Sequence, residues 1–155
     1  PKHVQQFLEE GHLRWDSLGE FLAIAVSLED LSVKTGNKTA ALLAKTLDHA
    51  TSKLLSQEKS PSRKVGELDN RGSHFYLALY WAEALTAQTE DGNLQQGFQP
   101  IAEQLKSNEA AIIRELSAAQ GKPVNLGGYY DLDETLANQA MLPSVTLNGI
   151  LKSSH

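Results

Sequence analysis

Apolar residues recur at the spacing of an α-helix along almost the whole chain, and this periodicity constrains the fold more than any other feature. Side chains three and four positions apart share one face of a helix, whereas a strand alternates its faces with a period of two. The 155 residues contain no convincing alternating run and no internal repeat. The sequence therefore predicts an all-α, antiparallel multi-helix assembly with an irregular C-terminal tail, in which residues 1–155 form a single helical region.

Turn and capping residues divide the pattern into helices. A short helix over "HVQQFLEE" is expected to end at Gly11, and a longer one to run from Trp15 or Asp16 to about Lys34. The apolar face of this longer helix is predicted to consist of Leu18, Phe21, Leu22, Ala25 and Leu28. Further helices are predicted over residues 38–58, 70–88, 93–105 and 108–120, with short ones after Asp133 and Pro143.

The segment 70–88 is apolar on nearly every side, which predicts that it is the central and most buried helix. Asp69 or Asn70 is its natural N-cap, because a short side-chain oxygen accepts from the unpaired amides of a first helical turn.

Composition and charge disfavour several classes of protein. A 41% hydrophobic content is enough for a real core, and a net charge of -5 argues against a dedicated nucleic-acid binder, which needs a broad basic face. The absence of cysteine excludes disulfides and thiolate chemistry. The longest apolar runs, "FLAIAV" and "FYLALYWA", are far shorter than the roughly 20 residues that span a bilayer. We therefore expect a soluble, cytoplasmic chain without a membrane partner, and its start at "PKHVQQFL" fits a segment of a longer protein.

Familiar catalytic arrangements do not fit the residue spacing. Ser73 and His74 are neighbours on a helix and do not face each other, so they do not form a nucleophile and base pair. The five histidines lack the spacing of a helical zinc site, and "DLDE" at 131–134 is typical of an acidic helix start. "GG" at 127–128 is not a nucleotide-binding fingerprint. No catalytic or metal-binding residue is predicted.

Cationic side chains in predicted loops leave two interpretations open. Arginine presents a planar fork of donors that matches a phosphate, so Arg14 and Arg63 on loops before helix N-termini are suited to an anion. The alternative is that ordinary surface ion pairs form, Arg14 with Asp16 or Glu10 and Arg63 with Glu67. The complete cationic set is His3, Arg14, Arg63, Lys64 and Arg71.

Three long stretches carry a resemblance to a known family: "HVQQFLEEGHLRWDSLGEFLAIAVSLEDL", "SPSRKVGELDNRGSHFYLALYWAEAL" and "QGKPVNLGGYY". They resemble the C-terminal region of the monomeric type of NADP-dependent isocitrate dehydrogenase. The likeness runs from the first residues to about Tyr130 and continues weakly through "LPSVTLNGIL". It implies that the chain is the last portion of an enzyme several times longer.

The resemblance also implies an activity and a binding site. The family oxidises isocitrate to 2-oxoglutarate and CO2 in the citric acid cycle, with NADP and a Mg or Mn ion, and its C-terminal segment belongs to the smaller domain of an α/β enzyme. The NADP-contacting positions of the family match His3, Arg14, Trp15, Asp16 and Arg63, whereas Lys64 and Arg71 gain no support. The two arginines would bind the 2′-phosphate, His3 would contact the cofactor nearby, and Asp16 would accept from the ribose or adenine or orient an arginine.

The family's substrate-binding, metal-binding and catalytic residues lie upstream of this chain, so the resemblance implies that the segment alone is inactive. A second hypothesis is an autonomous helical interaction module without cofactor binding, which would self-associate through an apolar surface.

Overall fold

The computed structural model describes residues 1–128 and 131–154, so the end of the stretch "QGKPVNLGGYY" lies outside the described residues. Over the described part of the chain all regular elements are helices and no strand is formed, which confirms the predicted all-α class. The eight helices are α1 (Lys2–Glu10), α2 (Leu18–Thr35), α3 (Lys38–Ser56), α4 (Asn70–Ala87), α5 (Gly92–Ser107), α6 (Glu109–Ala118), α7 (Glu134–Met141) and α8 (Val145–Ser153).

Local signals in the sequence account for several helix ends. Gly11 and Gly36 follow α1 and α2 with φ of 61° and 70°, a left-handed conformation that glycine adopts without steric cost. Asn37 caps α3 by accepting from the Ala40 N–H at 3.1 Å, and Asp133 caps α7 by accepting from Leu136 at 3.1 Å. Side-chain acceptors thus satisfy amides that would otherwise have no partner at these N-termini.

The start of α2 differs from the prediction. This helix begins at Leu18 rather than at Trp15 or Asp16. The carbonyls of Leu13 and Trp15 accept from Asn70 instead of from helical amides, at 2.7 and 2.9 Å. Since these contacts keep the chain out of a helical conformation, the segment between α1 and α2 is longer than its sequence indicates.

The chain forms two compact units. The first unit holds α1, the first turn of α4, and α6, α7 and α8; it consists of Pro1–Trp15, Ser60–Ser73 and the described residues from Ser107 onward. Its buried apolar side chains include Phe7, Ile112, Leu116, Leu147 and Ile150. Backbone hydrogen bonds from Gly121 to Glu10 at 2.7 Å and from Val124 to Leu8 at 2.8 Å connect α1 to the chain that follows α6.

The second unit consists of Asp16–Lys59 and His74–Lys106. Gly36 and Asn37 alone connect α2 to α3, and the two helices pack on each other as an antiparallel hairpin. Within α4, Phe75, Leu77, Leu79, Tyr80 and Leu85 are all buried. These positions point in several directions around the helix axis, so the prediction that α4 is the most buried helix is confirmed.

The predicted apolar face of α2 is only partly correct. Phe21 and Ala25 are buried, but Leu22 is 45% exposed. Other exposed apolar residues of this helix are Ile24, Val26, Leu31 and Val33. Leu18 and Leu28 are half-buried, so Leu22 is the one predicted position that is exposed. The other exposed apolar residues show that α2 is apolar on more than one side.

Among the described residues, none of the helices combines the length and the apolar character needed to cross a membrane.

Candidate functional site

Arg14 lies on a segment whose backbone is held on both sides. The Leu13 N–H donates to Asp69 Oδ2 at 3.2 Å, and the Leu13 carbonyl accepts from the Asn70 N–H at 2.7 Å. The Trp15 carbonyl accepts from Asn70 Nδ2 at 2.9 Å. We call residues 11–15 the Arg14 segment. Its contacts with the N-terminus of α4 fix the backbone of Arg14, whose side chain is half-buried.

Arg63 lies on a closed loop, residues 62–68, which we call the Arg63 loop. The Ser62 N–H donates to the Leu68 carbonyl at 2.7 Å, and Ser62 Oγ donates to Glu67 Oε1 at 2.5 Å. Gln6 of α1 donates from its side-chain amide to the Arg63 carbonyl at 3.1 Å. The Arg63 backbone is therefore tied to α1, while its side chain is exposed.

His3 and Trp15 are brought together. Their ring centroids lie 5.1 Å apart with an interplanar angle of 40°. His3 comes from α1 and is half-buried, whereas the Trp15 side chain at the end of the Arg14 segment is 46% exposed. The structure thus joins two of the five predicted site residues by direct contact of their side chains.

Asp16 is an exposed residue at the start of the second unit. Its Oδ1 accepts from the Leu18 N–H at 3.0 Å, at the beginning of α2. This carboxylate therefore has a local structural role, with one oxygen committed to the amide of Leu18.

The ion-pair interpretation of the two arginines is wrong for the described residues. Within residues 1–128 and 131–154, neither Arg14 nor Arg63 forms a salt bridge. The proposed acidic partners have other contacts: Asp16 accepts from Leu18, and Glu67 accepts from Ser62.

Arg71, by contrast, has a structural role in the first unit. Its guanidinium is buried and donates to Asp69 Oδ2 from Nε at 3.0 Å and from a terminal nitrogen at 2.8 Å. It also donates to the carbonyls of Gly11 at 2.5 Å and Ala140 at 2.7 Å, and lies 5.2 Å from the centre of the Phe7 ring. These contacts use all three guanidinium nitrogens, so Arg71 connects α4 to distant parts of the first unit.

Sequence reasoning missed His12 and Gln120. The His12 side chain is fully buried, with Nδ1 2.7 Å from Gln120 Oε1 and Nε2 2.7 Å from the Ser62 carbonyl oxygen. Gln120 follows α6 and also contacts the Arg63 loop at Gly66 and Glu67. No local sequence pattern predicts this cluster, because His12 and Gln120 are 108 positions apart.

The described part of the chain contains no group of three or more His, Asp or Glu side chains arranged to hold a metal ion. Arg14 and Arg63 lie on hydrogen-bonded backbone within one unit, and neither forms a salt bridge among the described residues.

Comparison with known proteins then gives the family. The family model "Monomeric isocitrate dehydrogenase" matches residues 1–152. An isocitrate dehydrogenase named for NADP in Azotobacter vinelandii is 63% identical over 151 residues, which are 97% of this chain and 20% of that protein. The NADP isocitrate dehydrogenase 2 of Colwellia maris is 62% identical over 153 residues, or 99% of this chain and 21% of that protein. For the NADP isocitrate dehydrogenase 2 of Mycobacterium tuberculosis, the identity is 57% over 153 residues, or 99% and 20%.

The chain belongs to the monomeric isocitrate dehydrogenase family, which confirms the resemblance seen in the sequence. It spans about one fifth of the length of these curated relatives.

Proposed function

We propose that this chain is the NADP-binding C-terminal portion of an NADP-dependent isocitrate dehydrogenase. The complete enzyme would convert isocitrate to 2-oxoglutarate and CO2. Membership of the family and the names of the relatives support this function. When bound, NADP supplies the hydride acceptor for such an oxidation.

The proposal rests on the fixed backbone of Arg14 and Arg63 and on their lack of an ion pair among the described residues. Both lie in the first unit on backbone fixed by hydrogen bonds, and neither forms an ion pair among the described residues. A guanidinium fork fits two oxygens of a phosphate monoester, and arginine stays protonated at every physiological pH. The 2′-phosphate distinguishes NADP from NAD, so two arginines directed to it would select NADP.

The other three site residues would contact the cofactor around this phosphate. The half-exposed Trp15 ring, supported by His3 at 5.1 Å, offers an apolar face beside a hydrogen-bonding imidazole. Asp16 has one carboxylate oxygen committed to Leu18, and the other would accept from the ribose or the adenine. The donors and acceptors present therefore fit a phosphorylated nucleotide.

We place the remaining chemistry outside this chain. The Mg or Mn ligands, the isocitrate-binding side chains and the catalytic residues would come from the rest of the enzyme, as the resemblance to the family implies. The isolated chain would then not turn over isocitrate. An assay of NADPH formation with the isolated chain, isocitrate and Mg²⁺ checks this, and turnover at the rate of the complete enzyme would contradict it.

The cofactor role is tested in the complete enzyme with Arg14→Ala, Arg63→Ala and the double variant. Dissociation constants of NADP and NAD are measured by titration of tryptophan fluorescence. Loss of two charged hydrogen-bonding groups should cost roughly 3 kcal/mol, which is about 100-fold in NADP affinity, with NAD affinity nearly unchanged. The matched control is Lys64→Ala, which removes a neighbouring exposed cation and should leave both constants unchanged. A double variant that keeps its preference for NADP would overturn the proposal.

A second candidate function rests on the exposed apolar residues of α2. Val26 and Val33 are 65% and 78% exposed, which is unusual for apolar side chains of a helix. The alternative is that this surface makes the chain a self-associating helical module without cofactor binding. Sedimentation of the isolated chain would then show concentration-dependent oligomers that disappear in Val26→Asp, Val33→Asp, and NADP would not bind.

A further inference from the structure

Both ring nitrogens of His12 lie against oxygen atoms in the interior of the first unit. Nδ1 is 2.7 Å from Gln120 Oε1, and Nε2 is 2.7 Å from the Ser62 carbonyl oxygen. The imidazole has no solvent exposure, so neither contact can be replaced by water. His12 therefore joins two distant parts of the first unit through contacts that solvent does not reach.

The orientation of the Gln120 amide is settled by its other two contacts. Its Nε2 donates to the Glu67 carbonyl at 2.8 Å, and its Oε1 accepts from the Gly66 N–H at 2.8 Å. Reversing the amide would place two donors face to face at Gly66 and two acceptors face to face at Glu67. The atom that faces His12 is thus an acceptor, as is the carbonyl of Ser62.

Hydrogen bonds among His12, Gln120 and Ser62 connect the Arg14 segment to the Arg63 loop. His12 lies in the Arg14 segment, two positions before Arg14, and Ser62 directly precedes Arg63. Gln120 adds two further bonds to the Arg63 loop, at Gly66 and Glu67. Hydrogen bonds of one histidine and one glutamine thus contribute to holding the Arg63 loop beside the Arg14 segment.

We propose that His12 and Gln120 are positioning residues for NADP selectivity: the His12 ring and the Gln120 amide hold the Arg63 loop against the Arg14 segment so that both arginines reach one phosphate. The proposal rests on the proposed binding of NADP by Arg14 and Arg63.

The experiment uses the complete enzyme with His12→Gln and Gln120→Ala, and the matched control His49→Gln at an exposed position of the second unit. NADP and NAD dissociation constants are measured for each variant at one fixed pH, together with its melting temperature. Each positioning variant should lose roughly tenfold in NADP affinity with NAD affinity unchanged. His49→Gln should leave both constants unchanged.

Equal losses of NADP and NAD affinity in both variants would overturn the inference, because a general loss of structure does not distinguish the two cofactors. Unchanged NADP affinity in both variants would also overturn it. Because Gln120→Ala leaves the buried His12 ring in place, that variant keeps the inference testable if His12→Gln does not fold. The proposed function fails separately, if Arg14→Ala, Arg63→Ala keeps its preference for NADP. If the arginine variant loses that preference while both positioning variants keep it, only the inference fails.

Discussion

Asn70 donates twice to the backbone around Arg14. Its side-chain amide contacts the Trp15 carbonyl at 2.9 Å, and its backbone N–H contacts the Leu13 carbonyl at 2.7 Å. The first residue of α4 therefore uses an amide that its own helix cannot pair to hold the residues on either side of Arg14. An ordinary feature of helix ends thus fixes the backbone of a candidate binding residue.

Asn70→Ala should lower both stability and NADP affinity. Loss of the bond to Trp15 costs about 1 kcal/mol, and the freed Arg14 segment should bind NADP several-fold more weakly. Urea unfolding and NADP titration of the complete enzyme measure the two effects. If stability falls while NADP affinity stays the same, Asn70 supports the fold without positioning Arg14.

Arg71→Met should be among the most destabilising substitutions in the chain. Its side chain and that of Asp69 are only 2% and 1% exposed, so the variant leaves a buried carboxylate without its cation, at a cost of about 3–5 kcal/mol. The double variant Asp69→Asn, Arg71→Met removes both charges and should lose less. Denaturant unfolding compares the two, and a double variant less stable than Arg71→Met would show that the other bonds of Asp69 outweigh the ion pair.

Gly11→Ala should cost more than Gly36→Ala, although both glycines are left-handed C-caps. A Cβ at Gly11 would lie 2.8 Å from the Ala119 carbonyl oxygen and 2.9 Å from that of Lys122, whereas at Gly36 it would meet open space. Gly36→Ala should therefore lower the free energy of unfolding only by the cost of an alanine in the left-handed conformation, about 1 kcal/mol. Gly11→Ala should cost that amount and must also displace the backbone that follows α6. Thermal unfolding measures the difference, and equal costs would mean that the chain after α6 moves aside freely.

Glu115 should make the fold sensitive to acid. The hydrogen bond from the Thr146 hydroxyl, at 2.6 Å, is the largest effect that lowers the pKa of Glu115, and the Thr146 amide and Ser144 hydroxyl lower it further against the opposing effect of burial. Because the folded-state pKa is depressed, this contribution to stability is present above the pKa of the unfolded carboxyl, about 4.3, and is lost as the pH falls through the lowered folded value.

Glu115→Gln should therefore have a lower melting temperature than the unsubstituted chain at neutral pH, and the difference should shrink in acid. Melting temperatures from about pH 7 to about pH 3 check this, with Thr146→Val as a control that removes only the strongest bond. A difference that is constant over this range would show that ionisation of Glu115 does not stabilise the junction of α6 and α8.

The helices were predictable because their signals are local. The cap of α3 joins residues three positions apart, and Gly11 and Gly36 end their helices through their own backbone conformation. The start of α2 was mispredicted because Asn70, 55 positions away, takes the Trp15 carbonyl. Leu22 was mispredicted for a related reason, since periodicity marks an apolar residue without showing which surface covers it.

The sequence by itself determined the all-α class, most helix ends and, through long characteristic stretches, the family. Only the tertiary structure decided which cationic side chains have partners within the chain. Arg71 donates to Asp69, Gly11 and Ala140, whereas Arg14 and Arg63 form no salt bridge among the described residues. The physical reason is the separation, along the chain, of the groups that interact. A helix is stabilised by groups within a few residues of each other, whereas the environment of a guanidinium depends on side chains and carbonyls that folding brings from as far as 69 positions away.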